Sequence, residues 1–366
     1  MMNKEKKIAF LLPSNVAGGA ERVMTSLANY ISNNSLYNVC FIFFDKENEF
    51  YSLNKEIEII NLGLDLKKIN KTKKYLMFFT YIKKLKLCLK MVNPNIVVSF
   101  LFITNIIGVL CCKNLNIPII LAERNDPKHY SKKQKIIMKF MYRMSVGFVC
   151  QSKEISEYMV KKFKVKNSII IPNPINGIQV GSYVENKNKK IISVGRLVKQ
   201  KNHKLLIQAF SKIANDFPEY KLYIYGDGEL RNDLNELIKF KGMENRIFLP
   251  GVIKDTIKIN NDAQLFILSS DFEGFPNVLL EAMANGIPVI ASNVFSGTVK
   301  MLIEDNKNGY LFEPGNENEL TQVIEKALIN TSKLNEFARI NLDIPEKFSI
   351  NNIANIWMNY IEIFIN

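Results

Sequence analysis

Short apolar segments alternate with helical stretches along this chain, and the alternation runs through the sequence twice. A first series of apolar segments ends near residue 171. The turn Pro172-Asn173-Pro174 and the polar stretch Glu185–Lys190 follow, and then a second series begins. Strands that alternate with helices pair in parallel and form an open sheet with helices on both faces. The sequence therefore predicts two doubly wound α/β domains joined by a linker.

The periodic patterns also place the individual elements. Strands are predicted in the first half at Lys7–Pro13, Asn38–Phe44, Ile57–Asn61, Ile96–Phe100, Ile117–Ala122, Val146–Gln151 and Ile169–Ile171. Strands are predicted in the second half at Lys190–Gly195, Lys221–Gly226, Ile247–Leu249, Leu265–Leu268, Pro288–Ala291 and Gly309–Phe312. Helices are predicted at Ala20–Ser32, Lys71–Val92, Thr104–Leu115, Lys132–Met144, Ser152–Phe163, His203–Asp216, Leu230–Lys241, Thr256–Asp262, Asn277–Asn285, Val299–Ile303, Glu317–Asn330 and Asn351–Ile365.

Length and composition bound the class of protein. A chain of 366 residues exceeds one typical core, and we place the domains at 1–172 and 173–346. Its longest apolar segment, Ile96–Cys112, is broken by polar residues and falls short of the roughly 20 apolar residues that span a bilayer. The N-terminal apolar stretch is too short for a signal peptide. Five cysteines without metal-ligand spacing favour a reduced, cytoplasmic setting, and a total of two histidines argues against a zinc site.

The positive charge is confined to the first half. Residues 1–172 hold 28 Lys and Arg against 12 Asp and Glu, whereas residues 173–366 hold 21 against 23. The densest basic stretch has no acidic residue and comprises Lys67, Lys68, Lys71, Lys73, Lys74, Lys83, Lys84, Lys86 and Lys90. Aromatic and apolar residues interleave there, which suits a basic amphipathic helix on an anionic membrane surface. A solvated helix face is the alternative, and nucleic acid is disfavoured because no recognition motif is present.

Two carboxylates eight residues apart are the main candidates for chemistry. Glu273 and Glu281 flank the start of the predicted helix Asn277–Asn285, so Glu281 lies about two turns beyond the loop that carries Glu273. A helix N-terminus offers unpaired N–H groups and partial positive charge, which suit a phosphate. One element could therefore hold a phosphate while its two carboxylates contact hydroxyl groups. This combination is typical of a site for a sugar nucleotide.

Two cations follow the first strand of the second half. Arg196 comes directly after Gly195, and Lys201 lies five residues later, just before a predicted helix. A planar guanidinium and an ammonium that converge from a strand end can neutralise a diphosphate.

Three ordered motifs carry a family resemblance: the glycine pair Gly18-Gly19 before Ala20-Glu21-Arg22, the segment Gly195–Asn202, and Glu273–Glu281. Together they resemble the retaining glycosyltransferases of the GT-B fold, family 4, over essentially the whole chain. The resemblance implies two Rossmann-like domains facing across a cleft. It also implies that a C-terminal helix, 347–366, packs back on the first domain.

The resemblance assigns roles to individual residues. Arg196 and Lys201 would bind the donor diphosphate and stabilise its departure, and Glu273 would orient the donor sugar. Glu281 would accept hydrogen bonds from the ribose hydroxyls. The remaining implied substrate contacts are Gly18 and Gly19, Gly226, Val252 near the nucleobase, and the backbone N–H groups of Asn277, Val278 and Leu279. Replacing Glu273, Arg196 or Lys201 by alanine is expected to abolish most turnover without preventing folding.

Two departures from the family pattern bear on mechanism. Many relatives carry a histidine after the fifth strand of the first domain, where this chain has Arg124. The replacement argues against a histidine general base and is compatible with front-face departure, with Glu123 and Arg124 as acceptor-site or donor-positioning candidates. Lys300 stands where many relatives have a glutamate, which leaves the donor sugar open.

The sequence thus predicts a metal-independent hexosyltransferase without a cofactor. The expected donor is a nucleoside-diphosphate sugar, with a UDP-hexose or UDP-N-acetylhexosamine preferred, and the expected acceptor is a glycan that can be carried on a polyprenyl diphosphate. The setting would be bacterial polysaccharide or lipopolysaccharide assembly, with a cytoplasmic protein at the inner membrane face. A sugar-nucleotide 2-epimerase needs more histidines, and a Rossmann oxidoreductase needs a Gly-x-Gly-x-x-Gly turn. A degenerate GT-B module that binds without turnover is the non-enzymatic alternative.

Overall fold

A computed structural model describes the backbone of most of the chain. The described residues are 6–15, 18–35, 37–45, 50–63, 73–175, 188–252 and 263–365, without the side chains of 73–77. Predictions that fall outside this part are the helix Thr256–Asp262, the first half of the stretch Glu185–Lys190, the residues Lys67, Lys68 and Lys71, and the side chains of Lys73 and Lys74. Contacts divide the chain into a first unit, Met1–Asn176 with Ser349–Asn366, and a second unit, Gly177–Phe348.

The first unit contains a seven-stranded parallel sheet with strand order β3-β2-β1-β4-β5-β6-β7. Its strands are β1 Lys6–Leu12, β2 Tyr37–Phe43, β3 Glu58–Asn61, β4 Ile96–Phe100, β5 Ile119–Ala122, β6 Gly147–Cys150 and β7 Ser168–Ile170. The central strands β4, β5 and β6 are buried along their whole length. Burial on both faces requires continuous apolar sequence instead of alternation, which is the pattern that these strands show.

Five helices follow the strands of this sheet: α1 Gly19–Asn34, α2 Lys73–Val92, α3 Phe102–Leu115, α4 Lys132–Met141 and α5 Lys153–Phe163. The apolar residues of α2 to α5 form one cluster against one face of the sheet. Those of α1 belong to a second cluster on the other face. The unit is therefore a three-layer sandwich with the sheet in the middle.

The second unit has a six-stranded parallel sheet with strand order β10-β9-β8-β11-β12-β13. Its strands are β8 Lys190–Val194, β9 Lys221–Tyr225, β10 Ile247–Gly251, β11 Leu265–Leu268, β12 Val289–Ser292 and β13 Tyr310–Phe312. Its described helices are α6 His203–Ile213, α7 Arg231–Phe240, α8 Asn277–Ala284, α9 Glu317–Ile329, α10 Thr331–Asn341 and α11 Ile344–Lys347.

The last helix, α12 Ile350–Glu362, belongs to the first unit. Trp357 and Tyr360 join the same apolar cluster as α1 and are buried there. The Tyr360 hydroxyl accepts a hydrogen bond from Phe148 N over 2.9 Å and donates to the carbonyl of Asn167. These two bonds attach α12 to β6 and to the residue that precedes β7.

The predicted strands are confirmed within one or two residues. Of the predicted helices that fall within the described residues, all but one are confirmed, although some differ from the prediction by three or four residues at their ends. The exception, Val299–Ile303, is wrong, because this stretch forms successive hydrogen-bonded turns after Gly297, which has φ +70°. Two helices, Thr331–Asn341 and Ile344–Lys347, had no sequence prediction. No helix in the described ranges is both long and apolar enough to cross a bilayer.

The strand orders place the ligand-binding edge of each sheet. The order reverses between β1 and β4 in the first unit and between β8 and β11 in the second. Ligands of doubly wound sheets bind beyond the carboxyl ends of the strands at such a reversal. The segments that follow β8 and β11 contain Arg196, Lys201 and Glu273, so three of the predicted site residues lie at the reversal of the second sheet.

Candidate active site

A buried ion pair lies where β8 and β11 end. Lys201 Nζ is 2.5 Å from Glu273 Oε1, and Ser270 Oγ donates to the same oxygen over 2.6 Å. The Lys201 and Glu273 side chains are only 14% and 7% exposed. Two residues predicted to be catalytic, 72 positions apart in the sequence, therefore form one contact.

Further hydrogen bonds hold the two loops together. Asp271 N donates to Gln200 O over 2.9 Å, and Gln200 Nε2 donates to Phe272 O over 2.9 Å. Asn202 Nδ2 donates to Asp271 Oδ1 over 2.7 Å. Because backbone and side-chain bonds both cross between the loops, the position of Glu273 relative to Lys201 is set before any ligand binds.

Arg196 differs from Lys201 in exposure and in pairing. Its side chain is exposed, and it makes no hydrogen bond or ion pair with any residue in the part of the chain that the structure covers. Its backbone is nevertheless held, because the flanking residues Gly195 and Leu197 donate to Tyr225 O and Asp227 O, each over 2.9 Å. Arg196 thus offers a free guanidinium on a fixed backbone beside the ion pair.

The turn after β9 packs directly on the turn after β8. Gly226 has φ +143°, and a Cβ placed there would lie 1.9 Å from the carbonyl oxygen of Gly195. A Cβ on Gly228 would lie 2.5 Å from the carbonyl oxygen of Leu197. Only glycine fits such an approach, so the predicted site residue Gly226 serves to bring the two turns into contact beside Arg196.

Arg231, at the start of α7, ties three segments of this edge together. Its Nε donates to Asp227 Oδ1 over 2.8 Å, its Nη2 to Gly226 O over 2.9 Å, and its Nη1 to Leu249 O over 3.1 Å. The hydrogen bond from Arg231 holds the pKa of Asp227 below its usual value. Arg231 therefore links the β9 turn to the end of β10.

The end of β10 presents Val252 to solvent. Gly226 N donates to Gly251 O over 2.8 Å, which joins the ends of β9 and β10. The next residue, Val252, is 74% exposed. A predicted nucleobase contact is thus an exposed apolar side chain on a backbone that Arg231 and Gly226 hold.

Helix α8 starts without a side-chain cap, because its N-cap residue is Pro276. The N–H groups of Asn277 and Leu279 donate to Phe275 O and Pro276 O, each over 3.0 Å. Of the three N–H groups predicted to approach a phosphate, only that of Val278 has no such bond within the described ranges. Glu281 is buried one turn later on the same helix face.

In the first unit, Glu123 follows β5 and is completely buried. Its Oε1 accepts from the hydroxyl of Tyr130 over 2.7 Å and from Arg124 N over 3.1 Å, and its Oε2 accepts from the hydroxyl of Tyr142 over 3.0 Å. Burial raises the pKa of Glu123, and the hydrogen bonds from the two tyrosines partly offset that rise. The carboxylate is fully engaged by protein donors, so its direct role is to hold this edge of the sheet in place.

Arg124 is buried beside Glu123, and some of its N–H donors are not used. Its Nη1 donates to Asn173 Oδ1 over 2.5 Å, and its guanidinium carbon lies 4.2 Å from the centre of the Phe100 ring. Its Nε and Nη2 have no partner among the described residues. Burial lowers the pKa of Arg124 to about 9, so the group is still a cation at neutral pH. This cation at the carboxyl end of β5 therefore has N–H donors that no described residue accepts from.

Gly18 and Gly19 follow β1 and open α1, at the strand-order reversal of the first sheet. Gly18 has no side chain to cap the helix, its carbonyl accepts from the Tyr51 hydroxyl over 3.2 Å, and Arg22 N donates to the same carbonyl. The glycine pair makes room at the start of α1 for the Glu21 carboxylate, because a Cβ on Gly18 would lie 2.1 Å from Glu21 Oε2. This helix start lies at the edge where a ligand of the sheet would bind.

Two family sequence models match the chain in succession. The model described as Glycosyltransferase Family 4 matches residues 17–176, and the model described as Glycosyl transferases group 1 matches residues 179–341. The chain belongs to family 4 of the GT-B glycosyltransferases. The two matches cover the two predicted halves in the expected order, so the recognition made from the three motifs is confirmed.

Relatives of this glycosyltransferase span its whole length. An uncharacterized glycosyltransferase of Haemophilus influenzae is 28% identical over 364 residues, covering 96% of this chain and 99% of the relative. A relative from Campylobacter jejuni is named GalNAc-α-(1→4)-GalNAc-α-(1→3)-diNAcBac-PP-undecaprenol α-1,4-N-acetyl-D-galactosaminyltransferase. It is 27% identical over 365 residues, covering 97% of this chain and 98% of the relative.

The fold is shared with solved structures. Anabaena Alr3699/HepE in complex with UDP and glucose is 18% identical, with a TM-score of 0.81 over 98% of this chain and 100% of that chain. The predicted fold class, two Rossmann-like parallel sheets in a GT-B enzyme, is therefore confirmed.

The geometry of the second unit gives this glycosyltransferase a mixed-charge site. Arg196 can bind an anion without breaking an existing contact, whereas Lys201 must share its charge with Glu273. Glu281 offers a buried acceptor one turn from the free N–H of Val278. Among the residues that the structure describes, no three His, Cys, Asp or Glu side chains are grouped as metal ligands.

Sequence reasoning missed two side chains of this edge. One is Arg231, which could have been found as a basic residue four positions after Asp227 at a helix start. The other is His203, which is buried directly after Lys201-Asn202. Its ring nitrogens face the backbone of Gly195 and Arg196 without a well-aligned hydrogen bond to any described residue. Burial and then the Lys201 charge lower its pKa to about 4, so the ring is neutral at pH 7.

Proposed function

We propose that this enzyme is a retaining glycosyltransferase that moves a hexose or N-acetylhexosamine from a UDP-sugar to a hydroxyl of a glycan acceptor. The observation that carries the proposal is the buried Lys201–Glu273 pair at the strand-order reversal, with the unpaired Arg196 beside it. A diphosphate needs two positive groups, and a sugar that must be oriented needs a fixed acceptor of hydrogen bonds.

The donor side follows from this arrangement. Arg196 and Lys201 bind the diphosphate, and their charge stabilises it as it departs, which serves the role that a metal ion fills in other transferases. Glu273 is already held by Lys201 and Ser270, and it orients the donor sugar. Glu281 accepts from the ribose, while the N–H of Val278 contacts a phosphate oxygen. The solved relative with bound UDP and glucose supports UDP as the nucleotide.

Two residues of the first unit support the proposed front-face departure. Arg124 replaces the family's histidine, and Glu123 is occupied by four protein donors, so neither is placed to take a proton from the acceptor. In the proposed step, the acceptor oxygen bonds to the anomeric carbon on the face that the diphosphate leaves. The acceptor proton passes to the departing phosphate oxygen. The unpaired Nε and Nη2 of Arg124 bind an oxygen of the acceptor.

The acceptor proposed here is a glycan on a polyprenyl diphosphate, used in bacterial surface polysaccharide or glycan assembly. Two Campylobacter jejuni relatives with undecaprenol-linked acceptors in their names support it. The basic first half supports a site of action on an anionic membrane surface, since the exposed residues of α2 include Lys83, Lys84 and Lys90. The enzyme would then be a peripheral protein at the cytoplasmic face.

The test has two stages. Binding of UDP, GDP and ADP to the purified enzyme is measured by calorimetry, and we expect UDP to bind with at least about tenfold preference and Glu281→Ala to weaken it. Transfer from UDP-sugars to an undecaprenyl-diphosphate-linked glycan is then followed by mass spectrometry, with the anomeric configuration of the product read by NMR. A product of inverted configuration, or equal affinity for the three nucleotides, would contradict the proposal.

A further inference from the structure

The outer face of α4 is apolar where a surface helix is normally polar. Ile136, Phe140 and Ile137 are 59%, 54% and 42% exposed, whereas Met138 is buried against the sheet. At 100° per residue, Ile136 and Phe140 lie within about 20° of the direction opposite Met138. These two side chains therefore point away from the core of the first unit. Helix α4 thus has an apolar stripe on its outer face in addition to the apolar residue that faces the core.

The charged residues of α4 and of the turn that follows it are all positive, while the neighbouring helix α5 carries the exposed Glu154 and Glu157 as well as lysines. Lys132, Lys133, Lys139 and Arg143 are all exposed, and the helix periodicity places them on both flanks of Ile136 and Phe140. No Asp or Glu occurs in the sequence between Asp126 and Glu154. A partner for this face must therefore accept apolar side chains at its centre and cations around them. An anionic lipid bilayer has this chemistry at the boundary between headgroups and acyl chains.

The two ends of α4 are fixed to one buried carboxylate. Tyr130, two residues before the helix, and Tyr142, directly after it, donate to the two oxygens of Glu123 over 2.7 and 3.0 Å. A reciprocal capping box between Ser131 and Gln134 closes the first turn. The helix is thus a rigid element whose outer face is exposed and whose ends attach to the residue next to Arg124.

Helix α2 extends the same surface. It packs on α3, which in turn packs on α4, so all three helices cover one face of the sheet. Exposed apolar residues on α2 are Phe79, Leu87 and Met91, at 69%, 53% and 79%. The exposed Lys83 and Lys90 lie among them. Helices α2 and α4, on either side of α3, both carry lysines and exposed apolar side chains, so the surface is broader than one helix.

We propose that α4 is the docking helix of this enzyme, with Ile136 and Phe140 inserted at the headgroup–acyl boundary of an anionic phospholipid bilayer. Lys132, Lys133, Lys139 and Arg143 contact the lipid phosphates. The inference deepens the proposed function and rests on its lipid-linked acceptor. Through Tyr130 and Tyr142, docking of α4 brings the bilayer to the element that fixes Glu123, so a lipid-carried acceptor is delivered to the edge of the sheet that carries Arg124.

The test uses the full-length enzyme and vesicles of phosphatidylglycerol with phosphatidylethanolamine, compared with vesicles of phosphatidylcholine alone. Co-sedimentation gives the partition coefficient of the wild type and of the double variant Ile136→Ser/Phe140→Ser. We expect the double variant to bind anionic vesicles at least about tenfold more weakly. The matched control is Phe240→Ser on α7, which removes a side chain that is 85% exposed between Lys239 and Lys241. It should bind as the wild type does.

Charge reversal gives a second, independent comparison. Lys132→Glu/Lys133→Glu should lose about tenfold or more in affinity for anionic vesicles, and Lys239→Glu/Lys241→Glu should lose much less. Equal binding by all variants would overturn the inference. So would a wild-type dimer that the Ile136→Ser/Phe140→Ser variant converts to a monomer with unchanged vesicle binding, since the face would then be covered by a second copy of the chain.

Nucleotide binding separates this inference from the proposed function. UDP affinity is measured in solution without vesicles on the same variants. If UDP binding is retained and no α4 variant alters vesicle binding, the docking helix is refuted and the proposed donor site is not. If UDP does not bind and vesicle binding is lost only in the α4 variants, the proposed donor site is refuted and the docking helix is supported.

Discussion

Lys201 Nζ and Glu273 Oε1 are 2.5 Å apart in a site where both side chains are largely shielded from water. Breaking such a pair leaves one buried charge without its partner, which costs about 3 kcal/mol or more of stability. Replacing both partners by apolar groups removes that penalty. The pair therefore couples the stability of the second unit to its proposed chemistry, which the sequence-based expectation of intact folding did not include.

A double-mutant cycle tests this coupling. We expect Lys201→Met and Glu273→Met each to lower the free energy of unfolding by about 3 kcal/mol, and the double variant to lose clearly less than the sum. Urea denaturation gives the three values. All three variants should lack transferase activity. Additive losses in the double variant would show that the contact contributes nothing to stability.

Arg196 should behave in the opposite way. It is exposed and unpaired among the described residues, so Arg196→Ala should leave the melting temperature within about 1 °C of the wild type. If Arg196 stabilises the departing diphosphate as proposed, kcat should fall about 10²-fold or more. Lys199→Ala, which removes another exposed cation of the same loop, is the control and should retain activity. A full kcat in Arg196→Ala would remove Arg196 from the site.

Gly226 is expected to be intolerant of any side chain. Gly226→Ala places Cβ against the carbonyl of Gly195 at a φ of +143°, and should destabilise the enzyme by about 3 kcal/mol or more. Gly242→Ala is the control, because Gly242 also has positive φ, +65°, but no atom within 4 Å of the added Cβ. It should cost only about 1–2 kcal/mol. Thermal unfolding of both variants then compares Gly242→Ala, which adds backbone strain alone, with Gly226→Ala, which adds backbone strain and a steric clash.

Arg231 is expected to position the nucleotide. Arg231→Met frees the ends of β9 and β10, so the Kd for UDP should rise about tenfold, and Arg231→Lys should not restore it because an ammonium lacks the three-way fork. The control is Arg246→Met. Arg246 also donates to backbone carbonyls, those of Phe217 and Tyr220, but before the start of β9. Calorimetry should show loss of stability without loss of UDP affinity in the control, and equal UDP affinities in both variants would refute the assignment.

His203 should make the enzyme sensitive to acid. Its pKa is lowered to about 4 in the folded state, below the 6.5 of an unfolded histidine. The unfolded chain therefore binds the proton more tightly, so stability is lost as the pH falls from about 6.5 towards 4, by about 3 kcal/mol in full. Above pH 6.5 the group has no effect. His203→Gln should flatten this part of the stability–pH curve relative to the wild type, and parallel curves would show that His203 does not titrate this way.

The central strands β4, β5 and β6 were predictable because they are buried on both faces. Burial of that kind leaves an uninterrupted apolar run between more polar segments, as in Ile119–Ala122. The short helix predicted at Val299–Ile303 failed because a segment of five residues is too short to stabilise a helix by its own propensity. Helix α10 escaped prediction because Asn330, read as the end of α9, caps the start of α10 by accepting from Lys333 N over 3.1 Å.

The site was predictable in its residues but not in its contacts. Arg196, Lys201 and Glu273 could be chosen because each follows a strand end in a recognisable motif. The ion pair depends on β8 lying next to β11, and strands with two others between them in sequence give no local sign of that pairing. The three bonds of Arg231 include two to backbone carbonyls, which any sequence contains, so residue types alone could not indicate them.

Because α12 packs on the first unit, that unit cannot complete its packing in the order in which the chain is synthesised. During translation the second unit is complete before Trp357 and Tyr360 leave the ribosome, whereas the face of the first sheet that α1 and α12 cover together still lacks α12. The first residues to be made are thus among the last to reach their final packing. Until then, apolar side chains that pack on α12, such as Phe100, lack part of their cover, and transiently exposed apolar surface of this kind favours aggregation.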